Sequence, residues 1–305
     1  MDLKNSLREP LIKPTNDLFI ASLLSSPKNK QILLSAINSV LNNFRQPSIV
    51  EATVLNPFNI LDYPVDKQIR LDVRVKDEHD AFYNIEIQSE WHTGFFDRVL
   101  YYWSESYESQ LERGDEYTVL CPVKSIIITE FPVFSSLKDL HTVFELRARE
   151  NPNVILTDHL QIHFLRLGNI KNNLAGLNVI CPGLRSWMNF LAFGSIYGED
   201  KMSTLLQDSP QVREAYEELK LFSADPAMRE KARERQRFIT DMRLNINEAR
   251  LEGRNEGIAE ERAKADAEKR AEKLETARKF KRLGASAAMI AEATGLSLEE
   301  IERLN

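Results

Sequence analysis

The chain has 305 residues, 43% of them hydrophobic, and a formal net charge of −6. That length accommodates one large domain with an appendage, or two domains, and no run of about 18 apolar residues is present to span a membrane. The charge is uneven: residues 1–226 carry 22 Lys/Arg against 30 Asp/Glu, residues 227–282 carry 17 against 12, and the last 23 residues carry 1 against 4. An acidic body with a mildly basic arm is compatible with nucleic acid but falls short of the basic footprint of a dedicated binder. The opening MDLKNSLREPLIKPTND lacks a hydrophobic signal core. Cys121 and Cys181 form no C-x-x-C pair, so the expected setting is cytoplasmic, with reduced thiols.

Taken in order, residues 15–45 predict two helices. Thr15 or Asn16 can cap the first. Ser26-Pro27 starts the second, with Ile32, Leu33, Ala36, Ile37, Val40 and Leu41 on one side. IVEATVLNP (49–57) reads as a strand ending at a proline.

Residues 69–90 carry the strongest chemical signal. Ile69, Leu71, Val73 and Val75 alternate with Arg70, Asp72, Arg74 and Lys76, the period-two pattern of a half-buried strand. Tyr83, Ile85 and Ile87 alternate with Asn84, Glu86 and Gln88 in a second strand, and the polar DEHDA loop joins the two as a hairpin. If Lys76 pairs with Phe82, partner numbers sum to 158, setting Asp72 opposite Glu86 and Arg70 opposite Gln88. Opposed residues on one sheet face have Cβ atoms roughly 4.5–5.5 Å apart, so two facing carboxylates ask for a cation between them. Hard oxygen donors suit Mg²⁺ or Mn²⁺. The bland alternative pairs Asp72 with Arg70, Arg74 or Lys76 on a solvated face.

In residues 95–117, Phe96, Val99, Leu100, Trp103, Tyr107 and Leu111 recur at helical steps, and Gly114 is the expected stop. CPVKSIIITEF (121–131) is a strand covered on both faces, followed by strands at 143–149 and 160–168. The strand-like alternation around His159 and His163 speaks against a zinc site there. From Leu184 the pattern is helical, with Trp187, Phe190, Leu191, Ala215, Leu219 and Phe222 as packing positions. Residues 248–282 form a long polar helix without a sustained heptad seam. The tail is two short helices about Thr294-Gly295-Leu296, with Ser297 and Glu300 as a capping box. Its outline resembles a helix-turn-helix. The acidic second helix favours partner docking or self-association over base reading.

The D-x(13)-E-x-Q arrangement on adjacent strands resembles the PD-(D/E)XK nuclease core. Its E-x-Q form looks like the Rpn group of recombination-promoting nucleases and PD-(D/E)XK transposases. Pro64 and Val65 lie too far from Asp72 to supply the motif's proline, and Gln88 stands where a Lys is usual. The resemblance implies that Asp72 and Glu86 hold Mg²⁺ or Mn²⁺, with the backbone oxygen of Ile87 completing the shell, and that Gln88 orients the attacking water. It also matches the group's T-N-D opening, with Asp17 and Phe19 in register and Ala21 in place of a common Lys. Asp17 thereby becomes a candidate helix acid near the metal, although an Asp in a first turn also favours the helix dipole. Arg98 and Tyr102 match an Arg and Tyr four apart, and Arg98 is suited to clamping a phosphate; its bland role is an ion pair to Asp97 or Glu105. Only Arg70 is foreseen as a cross-strand neighbour of Gln88, so a Lys at 88 is expected to be tolerated.

The implied fold is an α/β restriction-endonuclease-like core, a mixed sheet flanked by helices, with an α-helical C-terminal extension. The expected divisions are 1–175 for the nuclease-like domain, 176–245 for a helical region, and 246–305 for the charged arm and tail. The implied function is a Mg²⁺-dependent DNA endonuclease, forming homo-oligomers through the arm. The alternative is a catalytically degenerate fold acting as a DNA-binding or assembly module.

Overall fold

The computed structural model describes residues 10–58 and 72–304. Pro64, Val65, Ile69, Arg70 and Leu71, on which part of the hairpin reading rests, lie outside the described residues.

Helix α1 (Asp17–Ser25) starts where the Asn16 side chain accepts the Phe19 N–H at 3.2 Å. A 3₁₀ turn at Pro27–Asn29 leads into α2 (Lys30–Asn43); proline fits a first turn because its missing N–H has no helical partner there. Then follow β1 (Ala52–Val54), β2 (Val73–Asp77), β3 (Phe82–Gln88), α3 (Phe95–Glu108), β4 (Val123–Thr129), β5 (His141–Glu145) and β6 (Leu160–Arg166). The strands form one sheet in the order β1-β2-β3-β4-β6-β5. The β3/β4 and β4/β6 pairs are parallel and the others antiparallel. This is the expected mixed α/β sheet.

Alternation along the strands sorts the two faces. Val73, Val75, Tyr83, Ile85, Ile126, Ile128 and Leu165 join the core with α1 and α2, whereas Ile127, Ile162 and Phe164 pack with Phe95 and Val99 of α3. Every residue of β6 is buried, as expected of a strand covered on both sides. Helices α4 (Pro182–Phe193), α5 (Glu199–Leu205) and α6 (Pro210–Ala224) add Trp187, Phe190, Leu191, Met202, Ala215 and Leu219 to the first core.

Several elements differ in extent from the sequence reading: the long polar helix begins at Pro226 rather than 248, and β1 spans only Ala52–Val54. Helix α3 stops at Glu108, not at Gly114. The Gln110 side chain ends it by accepting the Cys121 N–H (2.8 Å) and donating to the Cys121 carbonyl (3.2 Å), tying the chain to the entry of β4. β5 begins at His141 and ends at Glu145, after which only an isolated bridge joins Arg147 to Ile155.

The chain divides into two compact units, one through Gln236 and one from Arg237. Helix α7 (Pro226–Arg282) runs across that division. In the second unit α8 (Ala287–Thr294) and α9 (Leu298–Glu302) fold onto the end of α7, burying Ile290, Leu296, Ile301 and Leu304 with Ala277. The Ser297/Glu300 capping box forms as read. The Lys281 ammonium donates to the carbonyls of Ile301, Glu302 and Leu304, where a helix C-terminus concentrates negative charge. No described helix is long and apolar enough to cross a membrane.

Candidate active site

The site is built on the β2–β3 hairpin, whose register is set by its turn. Asp77 is buried at the end of β2. One of its oxygens accepts the N–H groups of His79 and Ala81, and the other accepts the Tyr83 hydroxyl at 2.9 Å. Burial, followed by the Asp77 charge, holds the Tyr83 phenol above its ordinary range. With Asp80 at φ +64° the turn closes, and the pairs run Lys76 with Phe82, Val75 with Tyr83, Arg74 with Asn84 and Val73 with Ile85. These sum to 158 as expected. Continued by one step beyond the last observed pair, the same sum would set Asp72, just before β2, across from Glu86. The Arg70–Gln88 step lies outside the described residues.

Glu86 is only 4% exposed, and a buried carboxylate needs donors. Gln88, two residues on and therefore on the same face, donates its amide N–H to the Glu86 carboxylate. The Gln88 oxygen accepts from Arg98 Nη2. The two bonds assign the amide orientation and join three candidates into one chain, Arg98 to Gln88 to Glu86. Arg98 sits in the first turn of α3, which Gly94 opens in a left-handed conformation (φ +77°). It forms no ion pair with Asp97 or Glu105, the bland partners considered for it. Tyr102 lies one turn further along α3, half-buried, with its ring edge-on to Tyr101.

Two other acids settle differently. Asp17 forms an ion pair with Arg235 at 3.0 Å, and among the described residues no group of three or more His, Cys, Asp or Glu is placed to hold a metal. Asp17 therefore does not join Asp72 and Glu86 in a three-acid set. The Asp72 carboxylate has no hydrogen bond or ion pair among the described residues. Lys76, one of its possible bland partners, binds Asp80 at 2.7 Å instead.

His92 was not singled out from sequence, because a lone imidazole in EWHT follows no spacing rule. It is half-buried near Arg98, with Nε2 unpartnered. Burial first, and the Arg98 charge second, lower its pKa below the usual histidine value.

The donor set fits a small, hard cation. Ladder bonds alternate in direction along an antiparallel strand. The Asp77 N–H bonds the Ala81 carbonyl, so Tyr83, Ile85 and Ile87 turn their backbone groups toward β2. The Ile87 carbonyl thus faces the side from which Asp72 approaches. Two carboxylates and a carbonyl are typical of what protein supplies to Mg²⁺, which keeps waters and substrate phosphate oxygens for the rest of its octahedron.

A family model described as PD-(D/E)XK nuclease family transposase matches residues 14–249. Comparison with curated proteins and with solved structures finds no match.

Proposed function

Because the chain belongs to the PD-(D/E)XK nuclease family of transposases, we propose that it is a metal-dependent endonuclease hydrolysing DNA phosphodiester bonds, with Asp72 and Glu86 as metal ligands. What supports this reading is the observed pairing of Val73 with Ile85, which, continued by one step, would bring Asp72, without a side-chain partner among the described residues, opposite the buried Glu86. Mg²⁺ or Mn²⁺, once bound, polarises the scissile phosphate and lowers the pKa of a bound water.

The chain's own groups do the rest. Gln88 holds the Glu86 carboxylate in one orientation with one amide N–H and keeps the second for the attacking water. As an amide it accepts no proton at neutral pH. Arg98 spends one of its five donors on Gln88 and offers others to a phosphate oxygen. Its cation stands one amide away from Glu86, on the side where the superfamily usually places a Lys.

A plasmid-nicking assay with and without Mg²⁺ tests the proposal. Mg²⁺-dependent conversion of supercoiled to open circular or linear DNA supports it. DNA binding without conversion in either Mg²⁺ or Mn²⁺ supports the non-catalytic binding module instead, a reading favoured by Gln88 in place of Lys and by the acidic body.

A further inference from the structure

The β1–β2 ladder ends at an unusual place. Its partners, Ala52 with Asp77, Thr53 with Lys76 and Val54 with Val75, sum to 129, and the Leu55 N–H continues it by donating to the Arg74 carbonyl at 2.8 Å. The next ladder bond would run from residue 57 to the carbonyl of Asp72. Residue 57 is proline and has no N–H to give. A carbonyl left unpaired at a half-buried site costs free energy.

Asn56 fills the gap with its side chain. Its Nδ2 donates to the Asp72 carbonyl at 2.8 Å and its Oδ1 accepts the Arg74 N–H at 2.7 Å. A single planar amide thus grips the backbone on both sides of Val73. These bonds fix the two peptides that lead out of Asp72, Asp72–Val73 and Val73–Arg74, just where regular pairing has run out. We propose that Asn56 is a positioning residue for the metal site, holding the Asp72 main chain so that its carboxylate faces Glu86. The proposal rests on the reading of Asp72 as a metal ligand.

The molecule contains its own control. Asn38 also makes two backbone bonds through its amide, here to a single residue, donating to the Ile49 carbonyl at 2.9 Å and accepting the Ile49 N–H at 2.8 Å. Replacing either asparagine by alanine removes two backbone contacts of equal kind, and only one of the two grips lies beside Asp72.

The experiment is calorimetric titration of the full chain with Mn²⁺ alone, with thermal melts alongside. Groups that orient a metal ligand typically change affinity about 10–100-fold when removed. Asn56→Ala is expected to weaken Mn²⁺ binding by about that factor, and Asn38→Ala to leave it at the wild-type value, although both lower the melting temperature. Should Asn56→Ala fold poorly, Asn56→Ser retains one donor and one acceptor but is too short to make both bonds. Its expected Mn²⁺ affinity is intermediate. Wild-type affinity in Asn56→Ala or Asn56→Ser, or equal weakening in Asn38→Ala, overturns the proposal while leaving the nuclease reading intact. A wild-type chain that binds no Mn²⁺ overturns both.

Discussion

Arg98 donates a hydrogen bond to the amide oxygen of Gln88, whose own N–H is turned onto Glu86. The cation of α3 is thereby coupled to a β3 carboxylate through a neutral side chain. This relationship changes what a lysine at position 88 would do. Sequence reading counted only Arg70 as its neighbour; the structure adds Arg98. We predict that Gln88→Lys places an ammonium against the guanidinium and lowers cleavage, and that adding Arg98→Ala restores part of it. Gln88→Ala loses a charge-assisted pair worth roughly 1.5–3 kcal/mol, or about 10–10²-fold in rate if that stabilisation is expressed in the transition state. Single-turnover cleavage of a plasmid by the three variants checks this. A Gln88→Ala rate equal to wild type removes the amide from the mechanism.

A second prediction concerns acid stability. His141 Nε2 lies 3.1 Å from His163 Nδ1, and both rings are buried. The Asn43 amide oxygen accepts the Cys181 N–H, so its nitrogen donates to His141 Nδ1. His141 therefore donates to His163, and both rings are neutral. Burial, aided by the facing His163, takes His141 from 6.5 to about 2; burial, aided by Lys124, takes His163 to about 3. The unfolded chain binds both protons below about pH 6.5 and the folded chain does not. Their contribution is complete above that pH and falls as pH drops toward 3, by roughly 1.4 kcal/mol per pH unit for each ring. Melting temperatures between pH 8 and pH 5 should fall below 6.5, and His163→Gln should roughly halve this histidine-linked slope. An unaltered slope in a His141→Gln/His163→Gln double variant contradicts it.

Much of this was legible beforehand because hairpin register is arithmetic. Alternation of Val73 and Val75 with Arg74 and Lys76 fixes the faces, and the loop length fixes the sum of partner numbers, so the pairs from Lys76 with Phe82 to Val73 with Ile85 fall where they were expected. The capping box at Ser297 and Glu300 was legible for the same reason, being a local rule. Side-chain contacts between distant elements were not. Nothing in the sequence says that Arg235 claims Asp17, that Gln110 ends α3 at Cys121, or that Asn56 replaces the bond Pro57 cannot make. Each depends on where the chain returns in space, which periodicity does not encode.

The Asp17–Arg235 pair gives a third prediction. Asp17→Asn keeps the side-chain shape and removes a charge-assisted contact, costing roughly 1.5–3 kcal/mol by chemical denaturation, with Mn²⁺ affinity unchanged. A clear loss of Mn²⁺ affinity at unchanged stability would instead make Asp17 a ligand.

A fourth concerns the C-terminal unit. A shortened chain ending after Arg243 retains Arg235 and its bond to Asp17, together with every candidate site residue. It is expected to keep wild-type cleavage while its mass by light scattering drops to that of a monomer. A folded, DNA-binding shortened chain that no longer cleaves shows that residues beyond 243 serve the chemistry.

The central claim is that Asp72 and Glu86 hold the metal that cleaves DNA. Its most direct test is Mg²⁺-dependent cleavage by Glu86→Gln, a substitution that keeps the volume of the side chain and removes its charge. The account predicts an intact fold, DNA binding retained, and cleavage lost at every Mg²⁺ concentration. Cleavage at the wild-type rate by the well-folded variant would contradict it.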